Sequence, residues 1–233
     1  MEQMRDIASK GARIIAMDVT DDESMRNGVN QIIREQGKID VLFNNAGYGA
    51  YGSVEDVPLE DARPQFEVNL FGLSRLTQLV LPYMRKQKSG KIINTSSAGG
   101  KVYTLLGAWY HAAKHALEGF SDCLRLEVKP FGIDVIIIEP GPTQSEWGEI
   151  VFEHVQQASG HTAYSKMANA FVQTFKKPGA VYPPERIANL VLKAIRFKNP
   201  KTRYVAGNAK PALWARKLLS DKMFDRVLYR MFK

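Results

Sequence analysis

Residues Asn94–Phe120 read NTSSAGGKVYTLLGAWYHAAKHALEGF, and the rest of the chain arranges itself around this stretch. It opens with a serine pair at the end of a strand-like run and continues into Tyr110 and Lys114, four positions apart. The pattern predicts a helix from about Ala108, which sets Tyr110 and Lys114 one turn apart on the same face. A phenol titrates at about 10 and is a poor proton shuttle at neutral pH; a fixed ammonium beside it stabilises the phenolate and is expected to bring that value down. Ser97, thirteen positions before Tyr110, can offer a second hydroxyl to the same substrate oxygen.

Tyr-x-x-x-Lys by itself is weak, since nine tyrosines in a lysine-rich chain produce chance matches. Tyr229 and Lys233 form one such decoy: Arg216 stands thirteen positions before Tyr229, and no strand leads into it. Company separates the two. Apolar runs at Ala12–Met17, Ile39–Phe43, Lys91–Thr95 and Asp134–Ile138 read as strands, and a last one lies within Lys201–Gly207. The run DVIII at 134–138 is continuous and β-branched, as in a parallel strand covered on both faces. Between the runs lie helical patterns: one ending at Gly11, one opened by the capping-box sequence Thr20-Asp21-Asp22-Glu23, one from about Leu59 and one after Pro183-Pro184-Glu185. Strand–helix alternation of this kind predicts an α/β fold with a parallel sheet.

In their order and spacing, Asn44-Asn45-Ala46-Gly47 after one strand, Asn69, Ser97, Tyr110, Lys114 and Pro140-Gly141 after another resemble the short-chain dehydrogenase/reductase family. The resemblance covers roughly residues 12–207 and is nearest to its hydroxysteroid-dehydrogenase-like members. It implies a Rossmann-like doubly wound parallel sheet and a reaction that passes hydride between NADP or NAD and a carbonyl or alcohol. It implies that Tyr110 moves the proton, Ser97 positions the oxygen, Lys114 acidifies Tyr110 and holds ribose hydroxyls, and Asn69 completes a water-mediated relay. Asp18 and Val19 are implied at the adenine end of the cofactor. Asn45, Ala46 and Gly47 are implied beneath the nicotinamide ribose, where small residues let the backbone pass close. Pro140, Gly141 and Thr143 are implied at the nicotinamide. Residues 144–182, irregular and aromatic-rich, match the family's substrate lid and imply an apolar small-molecule substrate. Homo-oligomers built on the Asn69 and Tyr110 helices are usual in the family.

A complete member opens with a strand and a Thr-Gly-x-x-x-Gly-x-Gly turn that holds pyrophosphate at a helix N-terminus. That segment is missing from the sequence, so the fold is expected to be N-terminally truncated, with the first two strands absent. The Ala12 strand is then expected either to stand apart from the Ile39 strand or to pair with it directly. A second functional class follows: a catalytically silent fragment or interaction module unable to hold its cofactor.

The 233 residues, 45% of them hydrophobic, are enough for one domain spanning 1–233. The net charge of +8 resides mostly in the tail, where residues 201–233 hold nine Lys or Arg against Asp221 and Asp225. Such localisation argues against a nucleic-acid partner. Within 208–233, two basic amphipathic helices are expected, with Met223, Phe224, Val227, Leu228, Met231 and Phe232 forming one apolar stripe. That stripe is expected either to pack on its own domain or a sister subunit, or to touch an anionic membrane surface weakly. Cys123, the single cysteine, excludes an intrachain disulfide and is expected as a packed core thiol. His154 and His161 lack zinc-site spacing, so no metal is expected. No apolar run is long enough to span a bilayer and no signal-peptide pattern opens the chain, which points to the cytoplasm.

Overall fold

Two apolar faces along the same strands set the architecture. In the computed structural model, which describes residues 4–177, 179, 181–207 and 209–232, helix α1 (Arg5–Ser9) ends before Gly11 at φ 94°. Helix α2 (Asp22–Gln36) begins where the Asp21 carboxylate accepts from the backbone N–H groups of Glu23 and Ser24, and it ends at Gly37 in the left-handed region. The cap is therefore Asp21, one residue later than the Thr20 pattern implies. Strand β1 (Val41–Asn44) leads to α3 (Leu59–Phe66), a π-helical turn (Glu67–Gly72) and α4 (Leu73–Gln87). Strand β2 (Gly90–Thr95), helix α5 (Ala108–Val128) and strand β3 (Ile133–Pro140) follow. Then come α6 (Glu146–Ser159), α7 (Ser165–Phe175), α8 (Glu185–Arg196), β4 (Arg203–Ala206), α9 (Ala209–Leu218) and α10 (Asp221–Met231).

The four strands lie in the order β1-β2-β3-β4, all parallel, with Ile92 opposite Leu42 on one side and Val135 on the other. Successive residues of one strand serve opposite faces. Ile92 and Val135 join Val29, Val80, Met84 and Leu124 in the core beneath α2, α4 and α5. Ile93 and Ile136 join Val191, Ala194 and Tyr204 beneath α8. Both faces are covered, which makes the sheet doubly wound. Each isoleucine so enclosed stabilises the fold by about 1.5–3 kcal/mol.

Three expectations are corrected. The Ala12–Met17 run forms no strand: it pairs with nothing, and its Ile15 and Met17 side chains lie over Gly28 of α2. A strand exists only through a ladder, and β1 pairs only with β2. Residues 144–182 are largely helical, because Val151 and Val155 on α6 and Ala168, Phe171 and Val172 on α7 recur at helical spacing and bury together. Cys123 is exposed, since α5 buries the stripe Leu117, Ser121, Leu124 and Val128, and position 123 falls outside it.

The tail divides its apolar residues between two faces. Phe224 and Leu228 pack with Val102, and Phe232 packs beside Phe171; Met223, Val227 and Met231 stay exposed. Asn208 and Lys233, which bound the expected tail, lie outside the described residues, and with Lys233 goes one half of the decoy pair. Among the described residues, no helix is long and apolar enough to cross a membrane.

Candidate active site

Four parallel strands put all their carboxyl ends at one edge of the sheet, where the loops converge. Asn44 at the end of β1 donates to Asn94 Oδ1 (2.9 Å) and to Thr77 (3.1 Å), and Asn94 donates to Ser121 (2.9 Å). This buried network locks β1, β2, α4 and α5 together just below the loops. Asn94, Thr77 and Ser121 carry no chemistry of their own, and only Asn94's place beside the serine pair hinted at them.

Above it, the expected residues assemble. Lys114, nearly fully buried on α5, donates to the Thr95 carbonyl at the end of β2 (2.8 Å). The Thr95 hydroxyl in turn donates to Asn45 (3.1 Å). Asn69 lies in the π-helical turn, fully buried, and both ends of its amide bind the Tyr48 backbone (3.1 and 2.8 Å). A π turn inserts an extra residue and re-aims a side chain, and such turns recur at functional sites. Gly47 passes between these two groups: a Cβ there would sit 2.8 Å from Asn69 Oδ1 and 3.5 Å from Lys114 Nζ. Asn69 Oδ1 and Lys114 Nζ are therefore within about 6 Å of each other across Gly47. Only glycine fits at 47.

Tyr110, one turn before Lys114, is 6% exposed, and Ser97 lies close enough to its phenol to oppose the effect of burial on it. Ser97 also accepts from Gly99 N–H (3.0 Å), which fixes its side chain. Ser96 is buried with its hydroxyl unpartnered, so of the pair only Ser97 reaches the tyrosine. Tyr51 and Trp147 cover the phenol with ring centroids 5.4 Å away. This cover reverses one expectation. Burial pushes Tyr110 up to about 12, opposed only by Ser97, while the Lys114 ammonium sits 5.9 Å from the ring centroid. Under this cover the phenol is neutral. Burial also pulls Lys114 down to about 8, opposed by Glu118.

His111, unmarked in the sequence, buttresses the loop between Ser97 and Tyr110. The Thr104 N–H donates to His111 Nε2 (3.0 Å), so Nδ1 carries the hydrogen and donates to the Gly99 carbonyl (2.9 Å). Burial holds this ring down at about 4, hence uncharged.

The remaining cofactor-binding candidates divide. Val19, Asn45 and Ala46 line one cleft with Phe43, Val68, Leu73 and Leu76. Asp18 is exposed and spends its carboxylate on Thr20, turning the chain into α2. Pro140 ends β3, the Gly141 N–H donates to Ala206 (2.9 Å), and Thr143 bridges to Tyr182 at the base of the lid. Among the described residues no cluster of His, Cys, Asp and Glu has metal-binding geometry. The Gly47 cradle and the buried Lys114 ammonium fit the nicotinamide–ribose end of a dinucleotide.

Known proteins supply the comparison. The family described as short chain dehydrogenase matches residues 1–156. A probable short-chain type dehydrogenase/reductase, VdlC, of Helicobacter pylori is 39% identical over 197 residues, covering 83% of this chain and 71% of its own. A 3-ketodihydrosphingosine reductase of Bacteroides thetaiotaomicron is 35% identical over 224 residues, covering 93% and 81%. The crystal structure of a short-chain dehydrogenase from Streptomyces avermitilis superposes with a TM-score of 0.79 at 29% identity, covering 97% of this chain and 82% of that one. An NAD⁺-bound xylitol dehydrogenase superposes at 0.69 with 26% identity, covering 82% and 76%.

Proposed function

Because this chain belongs to the short-chain dehydrogenase/reductase family, an oxidoreductase family that works with NAD or NADP, we propose that it reduces the carbonyl of an apolar small molecule to an alcohol. The observation that carries this reading is the buried Tyr110 phenol, which burial keeps neutral, with Ser97 beside it and Lys114 one turn beyond. A neutral phenol is an acid, so it serves the direction in which an oxygen gains a proton. Ser97 holds the carbonyl oxygen, Tyr110 supplies its proton, and the dinucleotide supplies the hydride when bound. Lys114, lowered by burial to about 8 and still mostly protonated at neutral pH, resupplies the proton through the gap toward Asn69. Gly47 and Lys114 would hold the ribose, with Asn45, Ala46, Pro140, Gly141 and Thr143 around the nicotinamide, and Val19 and Asp18 toward the adenine.

The lid underlies the substrate class. Tyr51, Trp147, Val151, Val155 and Phe171 converge on Tyr110 and offer an incoming molecule hydrocarbon and aromatic surface. The similarity to a 3-ketodihydrosphingosine reductase fits a long-chain amphiphilic ketone. The test is NADPH or NADH consumption with a long-chain 3-ketone set against a short one. Faster turnover of the long chain is expected; turnover of neither overturns the reading.

The same proposal extends to surroundings. The chain acts in the cytoplasm as a homo-oligomer, pairing through the face where Leu59 and Phe71 stand half exposed beside Trp109. Nucleic acid is no partner. The outer tail face, with Trp214, Leu218, Met223, Val227 and Met231 among Lys210, Lys217, Lys222, Arg226 and Arg230, touches anionic membrane weakly. Asp221, itself exposed, pairs with Arg216, and Asp225 accepts from the Tyr103 hydroxyl. Sedimentation with anionic but not zwitterionic vesicles is expected, and equal sedimentation with both removes the membrane contact.

A further inference from the structure

Behind Lys114, away from the substrate side, lies a cluster of charge that the proposed chemistry does not use. Glu118, one turn further along α5, and Glu139, near the end of β3, are each 3% exposed. Every contact to Glu118 falls on one oxygen: Oε2 accepts from Arg203 Nε (3.1 Å) and Nη2 (2.9 Å), and from Lys101 Nζ at 2.9 Å. Arg203 is spread further, reaching Glu139 Oε1 at 3.2 Å and Asp122 Oδ2 at 2.8 Å. Arg125 is taken up by Asp122. Three carboxyl groups thus compete for Arg203 and Lys101. The Oε1 atoms of Glu118 and Glu139 are both buried and both lack a hydrogen-bond partner.

Two ionised carboxylates in that position would leave both oxygens desolvated and without a hydrogen bond, Arg203 Nε standing 3.2 Å from Glu139 Oε1 without making one, and that is unfavourable. One hydrogen between them removes both defects, because a protonated carboxyl is a donor and its neighbour an acceptor. We propose that Glu118 and Glu139 share a single proton, and that the remaining negative charge, one helical turn from Lys114, maintains the Lys114 ammonium against burial. Both are positioning residues. Burial and the adjacent Glu118 push the Glu139 carboxyl up, in keeping with its being the protonated partner. Glu118 is the group that opposes the lowering of Lys114. Gly100 permits the packing: a Cβ there would fall 2.9 Å from Glu118 Cγ.

The groups facing the pair are Lys101 from the loop after β2, Lys114, Asp122 and Arg125 from α5, and Arg203 from β4. None supplies a proton donor to either bare oxygen. The inference does not depend on the identity of the substrate or on turnover.

Infrared spectroscopy of the full chain at neutral pH tests it directly. The carbonyl stretch of a buried protonated carboxylic acid is expected, shifted in D₂O and lost in Glu139→Gln, whose amide still donates to Glu118. A wild-type spectrum without that band, or a band that survives Glu139→Gln, overturns the shared proton. Lysine side-chain NMR then reads Lys114. In Glu118→Gln its titration midpoint is expected to move to lower pH, at a several-fold higher proton concentration than in the wild type, and in Glu139→Gln to stay at or above the wild-type pH. An unmoved midpoint in a folded Glu118→Gln overturns the link to Lys114. If Glu118→Gln does not fold, Glu118→Asp serves, with its retained charge expected to keep the midpoint near wild type and a fall overturning the link.

Discussion

The sheet edge and the lid meet at Tyr110, and they are held by different forces. The edge is fastened by backbone ladders and by the Asn44–Asn94–Ser121 network, with Ile92, Ile93, Ile137 and Ile138 wholly enclosed beneath. The lid is held mainly by ring contacts among Tyr51, Trp147, Phe171 and Phe232, pinned at its rim by Ser159 to the Ser53 N–H (2.9 Å) and Thr162 to Asp56 (2.8 Å). Apolar contacts are non-directional and can re-form elsewhere, whereas a buried polar network tolerates one geometry. Lys114, Asn69 and Ser97 belong to the rigid side, and the surface that would greet a substrate belongs to the adaptable one. The candidate reactive groups are thereby held by the directional side of the seam and their cover by the non-directional one.

Substitution at the seam has the largest expected effect. Tyr110→Phe removes one hydroxyl and leaves the ring packing, so ketone reduction is expected to drop on the order of 10²–10⁴-fold with cofactor affinity kept; retained turnover would break the assignment. Ile137→Ala, on the rigid side, is expected to cost about 2–5 kcal/mol of unfolding free energy in urea, because the fully buried site cannot collapse. A cost below that range would mean the edge is softer than its burial indicates.

The third prediction concerns pH. His111 titrates at about 4 in the folded protein and at about 6.5 when exposed. As pH falls below the exposed value, the unfolded chain takes up a proton that the folded chain refuses. Stability is therefore expected to be lost between these two points, by roughly 3 kcal/mol in all. His111→Gln should flatten that part of a melting-temperature profile, and an unchanged profile would assign the acid sensitivity elsewhere. Smallest is Trp147→Ala on the lid. Global stability is expected to change by about 1 kcal/mol or less, while KM moves several-fold and kcat little. Equal losses in both constants would place Trp147 with the rigid side.

Much of this was legible in the sequence, for identifiable reasons. Buried parallel strands are continuous apolar runs, so β1, β2, β3 and β4 could be placed within a residue or two. Gly47, Asn69, Ser97, Tyr110 and Lys114 could be grouped because their order and spacing along the chain resemble the short-chain dehydrogenase/reductase family. Ala12–Met17 misled because a strand is a property of two segments, and composition reports only one. The lid helices were hidden by scattered aromatics, though Val151, Val155, Phe171 and Val172 carry the helical period. His111 and Glu118 left no signal, since ordinary surface helices carry such residues in the same spacing, and Glu139 none, since strand ends often carry an acid; only packing buries them. The depression expected of Tyr110 depended on a nearby cation alone; the cover of Tyr51 and Trp147 outweighs it.

The turn at Glu67–Gly72 carries a consequence of a different kind. It stores one residue more than a regular helix needs, so α3 and α4 could run on as a continuous rod if that residue were deleted. Each residue turns a helix by roughly 100°, so the deletion would swing position 69 away from Gly47 while leaving the scaffold whole. A chain shortened by one amino acid there would keep its shape and lose its wiring, a route by which descendants of such a protein could shed chemistry without shedding structure.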